Sequence, residues 1–172
     1  MDITIECSGN ESDDLTGWLN NNGGTVATDL CSDIIWSNNY TGSLSDLCGE
    51  TGEVTVIFIA TDECGNEEIS DLGKIVIEDS TAPNITNASD ITVECTKAYG
   101  LPTSNSGHEL ITWLRQWPAV DTWLDNNGGA TATDQCSPQL HWTVVTCGTF
   151  NPSCYQVDDI CIKFKVSDGC GN

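Results

Sequence analysis

GWLNNNGGTVATDLCS at residues 17–32 returns as TWLDNNGGATATDQCS at residues 122–137, an offset of 105. Agreement over a run of this length marks two copies of one structural unit rather than chance. Toward the N-terminus, DITIEC (2–7) returns as DITVEC (90–95) at an offset of 88, so the second copy has gained 17 residues between these landmarks. Toward the C-terminus one more inserted residue brings the offset to 106. It matches Trp36 with Trp142, Cys48 with Cys154, Phe58 with Phe164, and TDECGN (61–66) with SDGCGN (167–172). Between the copies, EDSTAPNITNASD (78–90) reads as a short linker, because Pro83 lacks the N–H that regular pairing needs. We therefore expect one module over residues 1–85 and a second over 86–172. The first copy continues past CGN through EEISDLGKIVIED, whereas the second stops at Asn172, so a closing strand is expected to be absent from module 2. The DITIEC start carries no basic or apolar leader and is expected to be that of a fragment.

Within each copy the local patterns are those of strands. ITIE, TVAT, DIIWSN, VTVIFIAT and GKIVIE alternate apolar and polar residues and are rich in β-branched types, as strands with one buried face are. Between the first two, DDLTGWLNNNGG predicts a short helix with acids at its start, Leu15, Trp18 and Leu19 on one face, and Asn-Gly-Gly as its stop. VDTWLDNNGG keeps this helix in the second copy. The insert adds SGHELITWLRQWP, where Ser106 is an N-cap, Glu109 completes a capping box and Pro118 is the stop, with Trp113 and Trp117 sharing a helix face. The fold class expected is all-β: two tandem immunoglobulin-like β-sandwich modules with short helical insertions after the first strand, stapled by disulfides.

Ten cysteines among 172 residues, with no CxxC pair and only two histidines, suit disulfides in an oxidising, extracellular compartment better than zinc or redox chemistry. In an up-down sandwich the loops carrying Cys31 and Cys64 share one pole, and Cys7 and Cys48 share the other. Of the three connectivities open to four cysteines, the pairing Cys7–Cys48 with Cys31–Cys64 alone keeps each bridge at one pole. The second copy would repeat it as Cys95–Cys154 and Cys136–Cys170. Cys147 and Cys161 align with Thr41 and Thr55, on adjacent expected strands, and would form a fifth bridge.

TATD-x-C at the end of the second expected strand, the later TD-x-CGN turn and the D-S-T-A-P linker resemble the hyalin-repeat family over nearly the whole chain, twice. The resemblance implies an immunoglobulin-like fold, an extracellular location, and a role in adhesion or in spacing other domains within long secreted bacterial surface proteins. It brings no catalytic residues. The WLNNNGG helix and the number of cysteines depart from the animal form of the repeat, so that form's partners do not transfer.

Twenty-six acids against five bases give a formal net charge of −21, which would be repelled by nucleic acid or an anionic membrane and would attract divalent cations. No apolar run approaches the ~20 residues that span a bilayer, so membrane insertion is not expected. Asp29, Asp33, Asp62, Glu63 and Asn66 fall in the two loops that a Cys31–Cys64 bridge would hold together, a hard-oxygen set suited to calcium. Asp134 and Asp168 repeat its core in the second copy. The alternative is that Asp29 and Asp62 cap their own turns. Glu78, Asp79 and Asp90 at the linker form a second, weaker candidate for calcium. Trp113 and Trp117 are expected to pack on the sandwich; the alternative makes them candidate ligand-binding residues, as a stacking platform for sugars. His108 and His141 lie in different elements without a nucleophile and an orienting acid at catalytic spacing, so both read as structural. Asn10, Asn39, Asn84 and Asn87 open N-x-S/T triplets.

The function expected is non-catalytic: an extracellular structural or adhesive repeat of a long cell-surface or filament-forming protein, assembled by strand addition and stiffened by calcium. Its partners would be neighbouring copies or modules of the same protein, and beyond them glycans or cell-surface proteins. The alternatives are a glycan- or protein-binding adhesin module and an accessory module of a secreted hydrolase.

Overall fold

The computed structural model describes residues 2–94, 106–147 and 159–172. The chain divides into two compact units. The first is Met1–Thr81 with Gln135–Gln139 and Gly169–Asn172, and the second is Ala82–Asp134 with Leu140–Asp168. Two short stretches of the second sequence copy, each carrying a cysteine, therefore belong to the first unit.

In the first unit, strand β1 (Ile3–Glu6) is followed by helix α1 (Glu11–Asn20), β2 (Ile35–Asn38), β3 (Gly52–Val56), β4 (Phe58–Thr61), β5 (Glu67–Ile69) and β6 (Gly73–Glu78). These strands make two three-stranded sheets, β1-β6-β3 and β2-β4-β5. β6 is central in the first sheet, parallel to β1 with Ile3 opposite Ile75, and antiparallel to β3 with Val54 opposite Ile75. β4 is central in the second, antiparallel to both neighbours. The run VTVIFIAT is thus two strands rather than one, dividing at Ile57, whose N–H donates to the Asn39 side chain at 2.9 Å. Val56, Phe58 and Ala60 stay buried across the division. The alternation therefore continues while the backbone changes hydrogen-bonding partners from one sheet to the other.

Helix α1 opens with Glu11, Asp13 and Asp14, acids that favour a helix N-terminus. It buries Leu15 and Trp18 against Ile5, Val56, Phe58, Ile75 and Ile77. Trp18 meets Phe58 edge to face, ring centroids 5.3 Å apart at 68°. The helix ends in a 3₁₀ turn over Asn22–Gly24, where Asn22 and Gly23 take φ of 52° and 62°. Gly23 is obligatory here, because a Cβ would lie 2.7 Å from the Phe58 ring.

In the second unit, β7 (Asn84–Ile85) is followed by α2 (Gly107–Leu114), α3 (Pro118–Asp125), β8 (Ala132–Thr133), β9 (His141–Cys147) and β10 (Cys161–Ser167). β9 and β10 form an antiparallel ribbon in which Cys147 lies directly opposite Cys161, and β7 pairs with β8. Ser106 caps α2 by accepting the Glu109 N–H. Pro118 does not stop this helix. It opens α3 at the position where a missing N–H costs nothing. Arg115 at the corner between the helices donates to Asp121 (2.5 Å) and Asp125 (2.6 Å). Leu110, Trp113, Leu114, Trp117, Val120 and Leu124 form the core, with Val144, Ile162 and Phe164 packed on it from the ribbon. After α3 the turn of the first unit recurs over Asn127–Gly129, with Gly128 at φ 66° and Trp123 edge to face on Phe164 at 5.1 Å and 68°.

The all-β expectation of two immunoglobulin-like sandwiches is overturned. The described residues hold three α-helices and four small sheets of three, three, two and two strands. The second unit draws its core largely from the two helices, whose tryptophans and leucines supply the apolar area that a second packed sheet would otherwise provide. TVAT is not a strand at all: Val26 is 87% exposed. Alternation shows that a segment could lie half-buried in a sheet, but not that another strand is available to pair with it.

Candidate functional site

The chemistry-bearing residues of the first unit are its cysteines, gathered where the unit closes on itself. Cys7 follows β1, and its N–H donates to the Glu78 carbonyl at 2.7 Å. It is bonded to Cys136, with Cα atoms 5.8 Å apart, and Cys48 is bonded to Cys170 at 5.1 Å. The expected pairs Cys7–Cys48 and Cys136–Cys170 are therefore not formed. The physical reason is that Gln135–Gln139 and Gly169–Asn172 belong to the first unit, so all four sulfurs lie in one unit rather than two in each. The Glu50 N–H donates to the Cys136 carbonyl at 2.9 Å, which brings the two bridges side by side. Ser137, beside Cys136, is 1% exposed and was not singled out from sequence, where nothing but the neighbouring cysteine marks it.

In the second unit Cys147 is bonded to Cys161, the pair that the alignment with Thr41 and Thr55 suggested. The expected Cys95–Cys154 bridge lies outside the described residues. Cys31 and Cys64 are exposed free thiols, so the expected bond between them is not formed. Their loops nonetheless touch, since the Glu63 N–H approaches the Ser32 hydroxyl at 3.4 Å.

Those loops carry the expected calcium ligands, and the structure gives the carboxylates other work. Asp29 Oδ1 accepts the N–H groups of Cys31 (2.7 Å) and Ser32 (2.8 Å). Asp62 Oδ1 accepts the Asn66 N–H at 2.8 Å, and its Oδ2 accepts the Asn66 side-chain amide at 2.7 Å. The Asn66 side chain, followed by its N–H, holds the Asp62 carboxyl below its usual range. Asp33 and Glu63 point to solvent. Among the described residues, Asp29, Asp33, Asp62 and Glu63 form no group of three with ligand atoms within 4.8 Å. Asp134 and Asp168 belong to the second unit, where Asp168 is buried. At the linker, Asp79 Oδ1 accepts the Thr81 N–H at 3.2 Å.

Glu6 was not singled out from sequence. Its carboxylate accepts the Thr81 hydroxyl (2.7 Å) and the Ser80 N–H (2.9 Å) and hydroxyl (2.8 Å), fastening the linker to the end of β1. These bonds, the Thr81 hydroxyl first, lower its pKa.

Trp113 and Trp117 are each 8% exposed, ring centroids 4.7 Å apart, and the Trp117 indole N–H donates to the Glu94 carbonyl at 3.0 Å. Their rings are spent on the core, leaving no face for a sugar to stack on. They also do not share one helix: Trp113 lies in α2, whereas Trp117 is the residue before α3. His108 and His141 are exposed and lie in α2 and β9. Asn10, Asn39, Asn84 and Asn87 are exposed as well.

No protein-family model matches this chain, and neither does any curated protein or solved structure. Three disulfides are present among the described residues, and no helix there is long and apolar enough to cross a membrane.

Proposed function

We propose that this protein is a non-catalytic, extracellular structural repeat, a cross-braced module that spaces or joins neighbouring modules of its own kind. The observation that carries the reading is the duplicated local device. The Trp18, Gly23 and Phe58 cluster and the Trp123, Gly128 and Phe164 cluster share the same turn and the same ring geometry, although the rest of the two units differs. What is held constant between the copies is a packing element, not a set of reactive groups. The disulfides support an oxidising location, because such bridges persist where cytosolic reductants do not act. The formal charge of −21 supports solubility outside a cell and argues against polyanionic partners. The hyalin-repeat resemblance supports adhesion or spacing through its turn and linker motifs. The glycan-binding alternative loses its anchor, since the tryptophans that motivated it are buried.

The test is electron microscopy of the oxidised protein at rising concentration, together with a glycan array. Regular end-to-end particles and a silent array are the expected result. Saturable binding to a defined glycan would replace the spacer reading with an adhesin.

A further inference from the structure

In the second unit, the path of the chain after the Asn-Asn-Gly-Gly turn is an occupied sheet edge. Asn84 lies opposite Thr133 and Ile85 opposite Ala132. The Thr86 N–H donates to the Thr131 carbonyl at 2.8 Å, and the Thr131 N–H donates to the Thr86 hydroxyl at 2.7 Å. The segment stays in place further on, with the Ser89 N–H on the Gly128 carbonyl (2.9 Å) and the Trp123 indole N–H on the Ser89 carbonyl (2.7 Å). At Thr86 and Thr131 the pairing is made by backbone groups and the threonine hydroxyls, and the Trp123 indole adds the contact at Ser89.

The first unit holds the same edge without that strand. Its turn has the same backbone: φ is 52° at Asn22 and 53° at Asn127, 62° at Gly23 and 66° at Gly128, and 79° at Gly24 and 81° at Gly129. The turn bonds match as well, Gly24 to Asn21 and Gly129 to Asn126 both at 2.8 Å. The chain then leaves in the same extended conformation, φ −73° and ψ 143° at Thr25 against −66° and 146° at Ala130. Val26, Ala27 and Thr28 stand where Thr131, Ala132 and Thr133 stand in the second copy. Among the described residues no backbone hydrogen bond reaches those three, and Val26 and Leu30 are 87% and 102% exposed. A preformed edge of this kind accepts an added strand with little rearrangement of its own.

We propose that Val26–Thr28 is a strand-acceptor site, and that its occupant is an extended segment of the Pro-Asn-Ile-Thr type that this chain carries at residues 83–86. Recognition consists of backbone pairing, with the threonine hydroxyl receiving the Val26 N–H. The segment from Gly73 to Thr86 shows how one connector serves two modules: its first part is β6 of the first unit and its last part pairs within the second. The inference rests on the tandem-module reading only for the source of that segment.

The test places a copy of residues 80–89 ahead of Asp2 in the full chain, in place of Met1, so that the contact is intramolecular and its effective concentration is high. Amide hydrogen exchange is followed by NMR in the parent, in the extended chain, and in an extended chain carrying Thr86→Val in the appended copy. Exchange at Val26 should slow at least about tenfold in the extended chain, the scale of ~1.4 kcal/mol, and return toward the parent rate with Thr86→Val. Unchanged exchange at Ile75 and Ile77 in β6 certifies that all three are folded. Equal Val26 exchange in parent and extended chain overturns the site. So does protection in the parent that grows with protein concentration, which would mean that two copies pair their own edges. Failure of this test leaves the spacer function standing, whereas a catalytic or glycan-binding activity would remove that function without touching the edge.

Discussion

Replacing Gly23 by alanine tests the packing element on which both units are built. Gly23 is buried at φ 62°, so any other residue carries left-handed backbone strain of roughly 1–2 kcal/mol. The new Cβ would also sit 2.7 Å from Phe58 Cε2 and 3.3 Å from Trp18 Cζ2. Phe58 is 1% exposed and held edge-on by Trp18, so the ring cannot swing aside without disturbing the core. Overpacking of this kind costs about 1–3 kcal/mol, and the two effects together predict a loss of ~2–5 kcal/mol. For a unit of this size that lowers the melting temperature by at least ~8 °C. Gly42→Ala is the control: Gly42 takes φ 90°, but nothing lies within 4 Å of its Cβ position, so it pays the backbone strain alone. Melting of both variants, followed by tryptophan fluorescence under oxidising conditions, separates the two contributions. If Gly23→Ala melts no lower than Gly42→Ala, the Trp18 and Phe58 cluster is not the tight element described above.

Peptide mapping without reduction should recover Cys7 linked to Cys136 and Cys48 to Cys170, with Cys31 and Cys64 alkylated in the native protein. A Cys7–Cys48 peptide would contradict this frame, and replacing Cys48 and Cys170 together by serine should cost about 2–5 kcal/mol in urea titrations. The Glu6 carboxyl titrates below its ordinary value, so its contribution is present above that value and is lost as the pH falls through the lowered one. Glu6→Gln should accordingly be less stable than the parent at neutral pH and show a shallower stability loss between about pH 5 and 3; parallel acid limbs would refute the linkage. Calcium should raise the melting temperature no more than magnesium at equal ionic strength, because Asp29 and Asp62 are engaged by their own turns. A saturable, calcium-specific rise in a thermal melt would instead show that those loops rearrange into a site.

Periodicity in the chain was enough to place ITIE, the Ile35–Asn38 strand, GKIVIE and the helices near residues 11–20 and 107–114, since these depend on contacts within a few residues of one another. The Ser106 cap and the left-handed Asn-Gly-Gly turns were equally readable, because local backbone bonds and steric limits specify them. The candidate sites fared differently. Asp29 and Asp62 could as well have been ligands as turn caps, and only the position of nearby N–H groups separates the two. For Trp113 and Trp117 packing was the stronger reading of the sequence, and their burial agrees with it, but which groups cover them depended on where α3 starts at Pro118.

The amino-acid order by itself established that the Trp-Leu-x-Asn-Asn-Gly-Gly run recurs 105 residues on and that the cysteines are suited to covalent bracing, both properties carried by short stretches compared with one another. Only the three-dimensional arrangement decided that VTVIFIAT serves two sheets, that Val26–Thr28 has no backbone partner among the described residues, and that Cys136 and Cys170 bond to Cys7 and Cys48. Those outcomes depend on which distant segments arrive beside each other, and two stretches with the same local pattern take different partners when the apolar surface available to cover them differs.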